Sequence, residues 1–284
     1  LLLSSVTKIV KTKVRAALSR LIPHKYAIDA SNLGDNGELA WTNLGFWKNT
    51  QNYREACCQL ADHLAQAVNL NSKDPLLDLG CGQGASLMHW LQHYQPKSLS
   101  AVELQAECVN KIQKLIPEIN QIFCGSFLNL KQFEFKQCFD VVLCIDAAYH
   151  SHLNSFLDSV VPVLNSKGRL GFHYLMRADS CQNMTVLQEQ KHRYLLKAAD
   201  VVWDSVPNEK TLRNTLEQQG FADIQIEDLS EQVLFGFSQY IQNQQERNQS
   251  RGWANFKIQM TAKLCRQLYQ NGYVRYIQIT AIKK

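Results

Sequence analysis

Two short stretches of this chain carry residue types that could do chemistry together. In Leu76-Leu77-Asp78-Leu79-Gly80-Cys81-Gly82-Gln83-Gly84, an apolar strand-like run enters three glycines spaced two apart, with an acid two residues before the first. A turn of this kind leaves backbone N–H groups bare at a helix start and lets an anionic or polar ligand approach the chain closely. Dinucleotide sites use G-x-G-x-x-G instead, so the spacing argues against a nicotinamide-dependent oxidoreductase. The second stretch, Asp146-Ala147-Ala148-Tyr149-His150-Ser151-His152, follows another apolar run and gathers a carboxylate, a phenol and two imidazoles. An imidazole that titrates near neutrality suits a general base.

The glycine segment resembles motif I of the class I S-adenosylmethionine-dependent methyltransferases, (D/E)-x-G-x-G-x-G, and later segments match that family in order. Glu103 ends the next apolar run, 19 residues after Gly84, where the resemblance implies that it binds both ribose hydroxyls of the cofactor. Cys124-Gly125-Ser126-Phe127 resembles the adenine-binding position, with the hydroxyl of Ser126 where the family often has Asp. Phe139 to Asp146 resembles motif IV, and Val163-Leu164-Asn165-Ser166-Lys167-Gly168 more loosely the turn into the fifth strand. The resemblance therefore implies S-adenosyl-L-methionine as cofactor, contacted by Asp78, Gly80, Cys81, Gly82, Gly84, Glu103, Ser126, Phe127 and Cys144. It implies an α/β, Rossmann-like fold with a seven-stranded, mostly parallel sheet, an N-terminal helical extension and a helical cap.

Nucleobase-amine and glutamine-amide methyltransferases usually carry (D/N/S)-P-P-(Y/F/W) after strand four, and this chain has Asp146-Ala147-Ala148-Tyr149. A small molecule, not nucleic acid, is the expected acceptor. Asn43-Leu44-Gly45-Phe46-Trp47 is similar to the lead-in of small-molecule methyltransferases acting on sugars, polyketides and terpenoids, with Trp47 at the cofactor's methionine end or in domain packing. An oxygen acceptor, placed ahead of nitrogen or carbon, requires deprotonation. His150 is then the first candidate base, with Asp146 orienting substrate or base and His152 in reserve; a packed loop imidazole is the alternative for His150. The rival readings are a cyclopropane-fatty-acid-synthase-like enzyme and a catalytically silent cofactor-binding or interaction protein.

Positioning these residues requires strands that end at the two stretches. From Pro75 onward, short apolar runs alternate with amphipathic helical ones, the pattern of parallel strands joined by crossover helices. The pattern predicts strands near 76–80, 98–103, 120–124, 139–145, 169–175, 222–227 and 274–282, and helices near 53–68, 84–94, 105–115, 152–161, 183–200, 208–219, 231–246 and 253–270. We divide the chain into an extension (1–72), a cofactor-binding core (73–178) and a cap or lid that also carries the last strands (179–284). Tyr194, Trp203, Phe235, Phe237, Tyr240, Trp253 and Phe256 are lid residues that could line an apolar acceptor pocket, although helix packing suits most of them.

Composition sets the limits. Over 284 residues, 45% hydrophobic and 19% charged with 13 glycines and 6 prolines, the chain reads as globular and not disordered or collagen-like. A net charge of +5 is too small for a dedicated nucleic-acid binder. Lys8, Lys11, Lys13, Arg15, Arg20 and Lys25 all precede the first acid, Asp29, on a segment with apolar residues at helical steps. Peripheral contact of this helix with an anionic membrane is one expectation, and docking on its own domain is the other. No run approaches a bilayer span of roughly 18 to 20 apolar residues, and the opening is too short for a secretory signal, so a cytoplasmic location is expected. Nine cysteines without a C-x-x-C pair point to reduced, mostly packed thiols and no metal site.

Overall fold

A computed structural model describes residues 30–247 and 253–284. The expected basic first helix lies outside the described residues. Seven strands form one sheet: β1 (Pro75–Leu79), β2 (Ser98–Glu103), β3 (Gln121–Cys124), β4 (Phe139–Cys144), β5 (Leu164–Arg177), β6 (Phe221–Asp228) and β7 (Val274–Lys283). Their order is β3-β2-β1-β4-β5-β7-β6, with β1 to β5 parallel and β7 antiparallel to both β5 and β6. The helices are α1 (Tyr53–Ala67), α2 (Ala85–His89), α3 (Ala106–Leu115), α4 (Leu153–Val160), α5 (Val186–Ala198), α6 (Glu209–Gln218), α7 (Gly236–Arg247) and α8 (Trp253–Asn271).

The sheet is buried on both faces because its central strands are apolar at successive positions, as parallel strands covered by crossover helices must be. Alternate side chains enter opposite cores. Leu76, Val141 and Leu143 join α1 and α2 on one face, while Leu77, Leu79, Val142 and Cys144 join Phe156 of α4 and Leu212 of α6 on the other. Helix starts follow local chemistry: the Asn52 side chain accepts from the Glu55 N–H at the start of α1, and Thr185 with Gln188 forms a reciprocal capping box at α5.

Three elements differ from expectation. The fifth strand begins five residues early, at Leu164, because Asn165 to Gly168 form an irregularity within the strand and not a turn before it. Its register jumps from Phe139↔Leu164 to Val141↔Arg169, and Lys167 takes a left-handed φ of 61°. The helices expected at 84–94 and 231–246 each contain a π-helical turn, Trp90–Tyr94 at the end of the first and Glu231–Phe235 at the start of the second. The thiols are also less packed than expected: all nine are free, but Cys124 and Cys138 are exposed. Among the described residues, no helix is long and apolar enough to cross a membrane.

Candidate active site

The strand order reverses between β2 and β4 around β1, and in open α/β sheets a crevice forms beyond the carboxyl ends of strands at such a point. The glycine loop lies there. Gly84 has φ 94°, and a Cβ at this position would lie 2.7 Å from Ile112 of α3, so the loop passes tightly against that helix. Gly82 has φ 55° and borders the hydroxyl of Thr42. Its N–H donates to Glu103 Oε2 at 2.9 Å, while the Gln105 N–H donates to Oε1 at 2.9 Å. Each carboxylate oxygen therefore keeps a lone-pair direction for a further donor.

Asp78 serves the loop from below. Its buried carboxylate accepts the Trp90 indole N–H at 2.7 Å, and burial raises its pKa to about 6. The π-helical turn after α2 carries Trp90, so this helix irregularity and the acid belong to one arrangement. Cys81 and Cys144 are buried thiols whose pKa values are raised by desolvation. The Ser126 hydroxyl accepts from the Leu128 N–H at 3.2 Å, and the Phe127 ring stands edge-on to Phe156 and borders Gly80. Leu104, 49% exposed directly after Glu103, is an apolar neighbour of that acid that the sequence reading did not single out, because its exposure leaves no mark in the sequence.

A strap formed by residues 39–47 runs against the glycine loop, with Leu39 facing Gly84 and Thr42 facing Gly82. It is held at its centre and at its far end. The Tyr53 hydroxyl donates to the Asn43 carbonyl at 2.7 Å, the Trp47 N–H donates to the Gln232 carbonyl at 2.9 Å, and the Trp47 ring stacks on Tyr240 with centroids 4.3 Å apart. At its middle, the Leu44 N–H donates to Asp146 Oδ2 at 2.8 Å. The other oxygen of Asp146 accepts the hydroxyls of Tyr149 at 2.8 Å and Tyr276 at 3.0 Å. Burial raises Asp146 to about 6, against these hydrogen bonds. Its backbone N–H donates to His173 Nδ1 at 3.3 Å, which leaves the proton on Nε2 to donate to Gln278 Oε1 at 3.3 Å. The buried His173 ring is neutral, its pKa lowered to about 3 by burial.

The expected catalytic residues fall in different surroundings. His150 lies on a short 3-10 turn, Ala148–His150, with its ring 4.5 Å from that of Tyr149 and Nδ1 3.5 Å from the Asp200 carbonyl. Asp146 holds the strap and two phenols. His152 is the exposed N-cap residue of α4 and makes no side-chain capping bond. Of the residues expected to line a cap, Trp203, Phe237 and Tyr240 are buried in packing and Phe235 stacks on Tyr269, whereas Tyr194 is 76% exposed and faces solvent. Cys265 of α8 is buried, and both burial and nearby Asp146 raise its pKa, so α8 packs close to the loop after β4.

A methyltransferase domain family matches residues 76–168, which contain the glycine loop, Glu103 and the loop after β4. The chain carries a class I S-adenosylmethionine-dependent methyltransferase domain. Among characterised relatives, the methyltransferase is 27% identical over 221 residues to erythromycin 3''-O-methyltransferase of Saccharopolyspora erythraea, covering 74% of this chain and 71% of that one. A cyclopropane synthase from Mycobacterium tuberculosis has the same fold, with a TM-score of 0.68 at 17% identity over 90% of this chain and 94% of that one. So does a geranyl diphosphate C-methyltransferase from Streptomyces coelicolor solved with S-adenosyl-L-homocysteine, with a TM-score of 0.64 at 11% identity over 92% and 99%. The methyltransferase uses S-adenosylmethionine. The chain's own groups fit it: Glu103 offers two oxygens with unused acceptor directions, and Gly80, Gly82 and Gly84 take left-handed backbone angles with no side chains of their own.

Proposed function

We propose that this methyltransferase methylates a hydroxyl oxygen of a small, partly apolar metabolite. The observation that carries the reading is its likeness, across 74% of the chain, to a relative whose name specifies O-methylation. Bound S-adenosylmethionine supplies an electrophilic methyl group on a sulfonium centre. In this reading Glu103 holds the ribose hydroxyls, Gly80, Cys81, Gly82 and Gly84 present backbone to the cofactor over Asp78, and Ser126 and Phe127 flank the adenine. Cys144 closes the floor of the site at the end of β4, and Trp47 anchors the strap at the methionine end.

An acceptor hydroxyl must lose its proton as the new carbon–oxygen bond forms. His150 takes it. The Asp200 carbonyl near Nδ1 favours the tautomer with the proton on that nitrogen, which puts the basic lone pair on Nε2. Asp146 positions the strap that covers the loop, and His152 stays outside the reaction. Methyl transfer needs alignment and exclusion of water, both of which strap and cap provide. Incubating the protein with methyl-labelled S-adenosylmethionine and a metabolite library should yield products labelled on oxygen. Label found only on nitrogen, or on carbon of an unsaturated lipid, would overturn the oxygen assignment.

A further inference from the structure

Among the described residues, the three most exposed large apolar side chains all stand on α5: Leu187 is 78% exposed, Tyr194 76% and Val186 71%. With 3.6 residues to a turn they fall within an arc of about 100°, and His192 and Leu196, on the opposite side of the helix, are buried. Lys191 and Lys197, both exposed, stand three residues before and after Tyr194, about 60° to either side of it. The other charges of the helix are paired: Arg193 donates to Glu189, the one acid of α5, at 2.8 Å and to Asp204 at 2.6 Å. Neither lysine is paired with an acid among the described residues. Val202, 57% exposed, extends the apolar surface into the loop that follows.

We propose that this face of α5 is a docking surface for an anionic lipid bilayer, with the helix lying in the plane of the headgroups. Single exposed apolar residues are ordinary, but three on one arc of one helix make a patch that calls for an occupant. An interfacial helix sinks its apolar arc to the headgroup boundary, while lysine stems run along the apolar surface and carry their charges up to the phosphates. Lys191 and Lys197 are placed for this, and with Glu189 held by Arg193 no free carboxylate on α5 opposes a negative surface. A second copy of the chain docked two-fold on the same face would bring the lysines of both copies together, which favours a negatively charged occupant. The formal net charge of +5 draws the chain toward such a surface. The loop after α5 carries Asp200, whose carbonyl lies 3.5 Å from His150 Nδ1. Under the function proposed above, docking through α5 brings a partly apolar acceptor from the lipid to the side of the site that holds the base; the docking itself does not depend on that function.

The test is sedimentation of the full chain with vesicles of phosphatidylcholine, alone or mixed with phosphatidylglycerol, at low salt. The unaltered protein should bind the mixed vesicles at least about tenfold more tightly than the neutral ones. Leu187→Ser combined with Tyr194→Ser, which leaves the charge unchanged, and separately Lys191→Gln combined with Lys197→Gln, should each weaken that binding at least about fivefold. Leu115→Ser, at an exposed leucine on α3, should leave it unaltered. Every substituted side chain is exposed, and calorimetry with S-adenosyl-L-homocysteine checks that each variant is folded. Failure to bind the mixed vesicles would overturn the proposal, and so would binding that either double variant retains, as it would if the basic residues before Asp29 alone held the lipid. Lipid-free self-association that the Leu187 and Tyr194 substitutions abolish would also overturn it, by making the face a contact between copies. None of these results bears on methyl transfer, which is measured separately.

Discussion

At the scale of single residues, Glu103 and His150 separate binding from chemistry. Glu103 already accepts two backbone N–H bonds that hold the loop, so truncation affects both loop and cofactor. Glu103→Ala should weaken S-adenosylmethionine binding in calorimetry by about 1 to 3 kcal/mol, the scale of lost charge-assisted hydrogen bonds. Unchanged affinity would remove Glu103 from the cofactor site. His150→Ala should leave that affinity nearly intact and lower turnover of a hydroxyl acceptor by about a hundredfold to ten-thousandfold. Normal turnover in this variant would place the base elsewhere or make one unnecessary. Asp78 is instructive beside them: it stands in the motif as expected, but its carboxylate engages Trp90 under the loop. Sequence spacing identified it, whereas its partner was set by a π-helical turn that apolar periodicity does not reveal.

At the scale of elements, the strap is what sequence reading could not assemble. The strands were legible because apolar runs at alternating and continuous spacing are local signals, and the helices because their faces repeat at three and four residues. Asn43 to Trp47 was legible as a lead-in, but the Leu44 to Asp146 hydrogen bond spans 102 residues and leaves no periodic trace. The buried line from Asp146 through His173 to Gln278, which also accepts from His63 Nδ1 at 3.2 Å, was invisible for the same reason. If Asp146 is the latch of the strap, Asp146→Ala orphans the Leu44 N–H and two tyrosine hydroxyls together. Hydrogen exchange in peptides covering 39–47 should then accelerate at least about tenfold, equivalent to about 1.4 kcal/mol of lost protection, while α4 and α6 exchange as before. Exchange that rises uniformly, or not at all, would mean that the strap is held by its stacked aromatic residues alone.

At the scale of the whole molecule, the three buried titrating groups near the site give stability an unusual pH dependence. Asp78 and Asp146 hold their protons to about pH 6 in the folded state because burial disfavours their charge, whereas in the unfolded chain they ionise near about 3.9. The folded state thus binds more protons between those values. The stability each contributes is fully present below about pH 4 and is lost as pH rises through 6, on the order of 2 to 3 kcal/mol per group. His173 acts in the opposite sense. Its folded value of about 3 lies below the roughly 6.5 of a free imidazole, so its contribution is present above 6.5 and is lost as pH falls toward 3. Between pH 4 and 6 two acids oppose one histidine, and the variants separate them. Asp78→Asn retains an oxygen that can accept the Trp90 indole but cannot ionise. In urea unfolding of the cofactor-free protein, the stability of the unaltered chain relative to Asp78→Asn should therefore fall by about 2 to 3 kcal/mol between pH 4 and 6.5. The same comparison with His173→Gln should run upward with pH. A constant offset between the unaltered chain and Asp78→Asn would show that Asp78 is ionised in the folded protein throughout, and that its burial beneath the glycine loop is compensated by more than the Trp90 hydrogen bond.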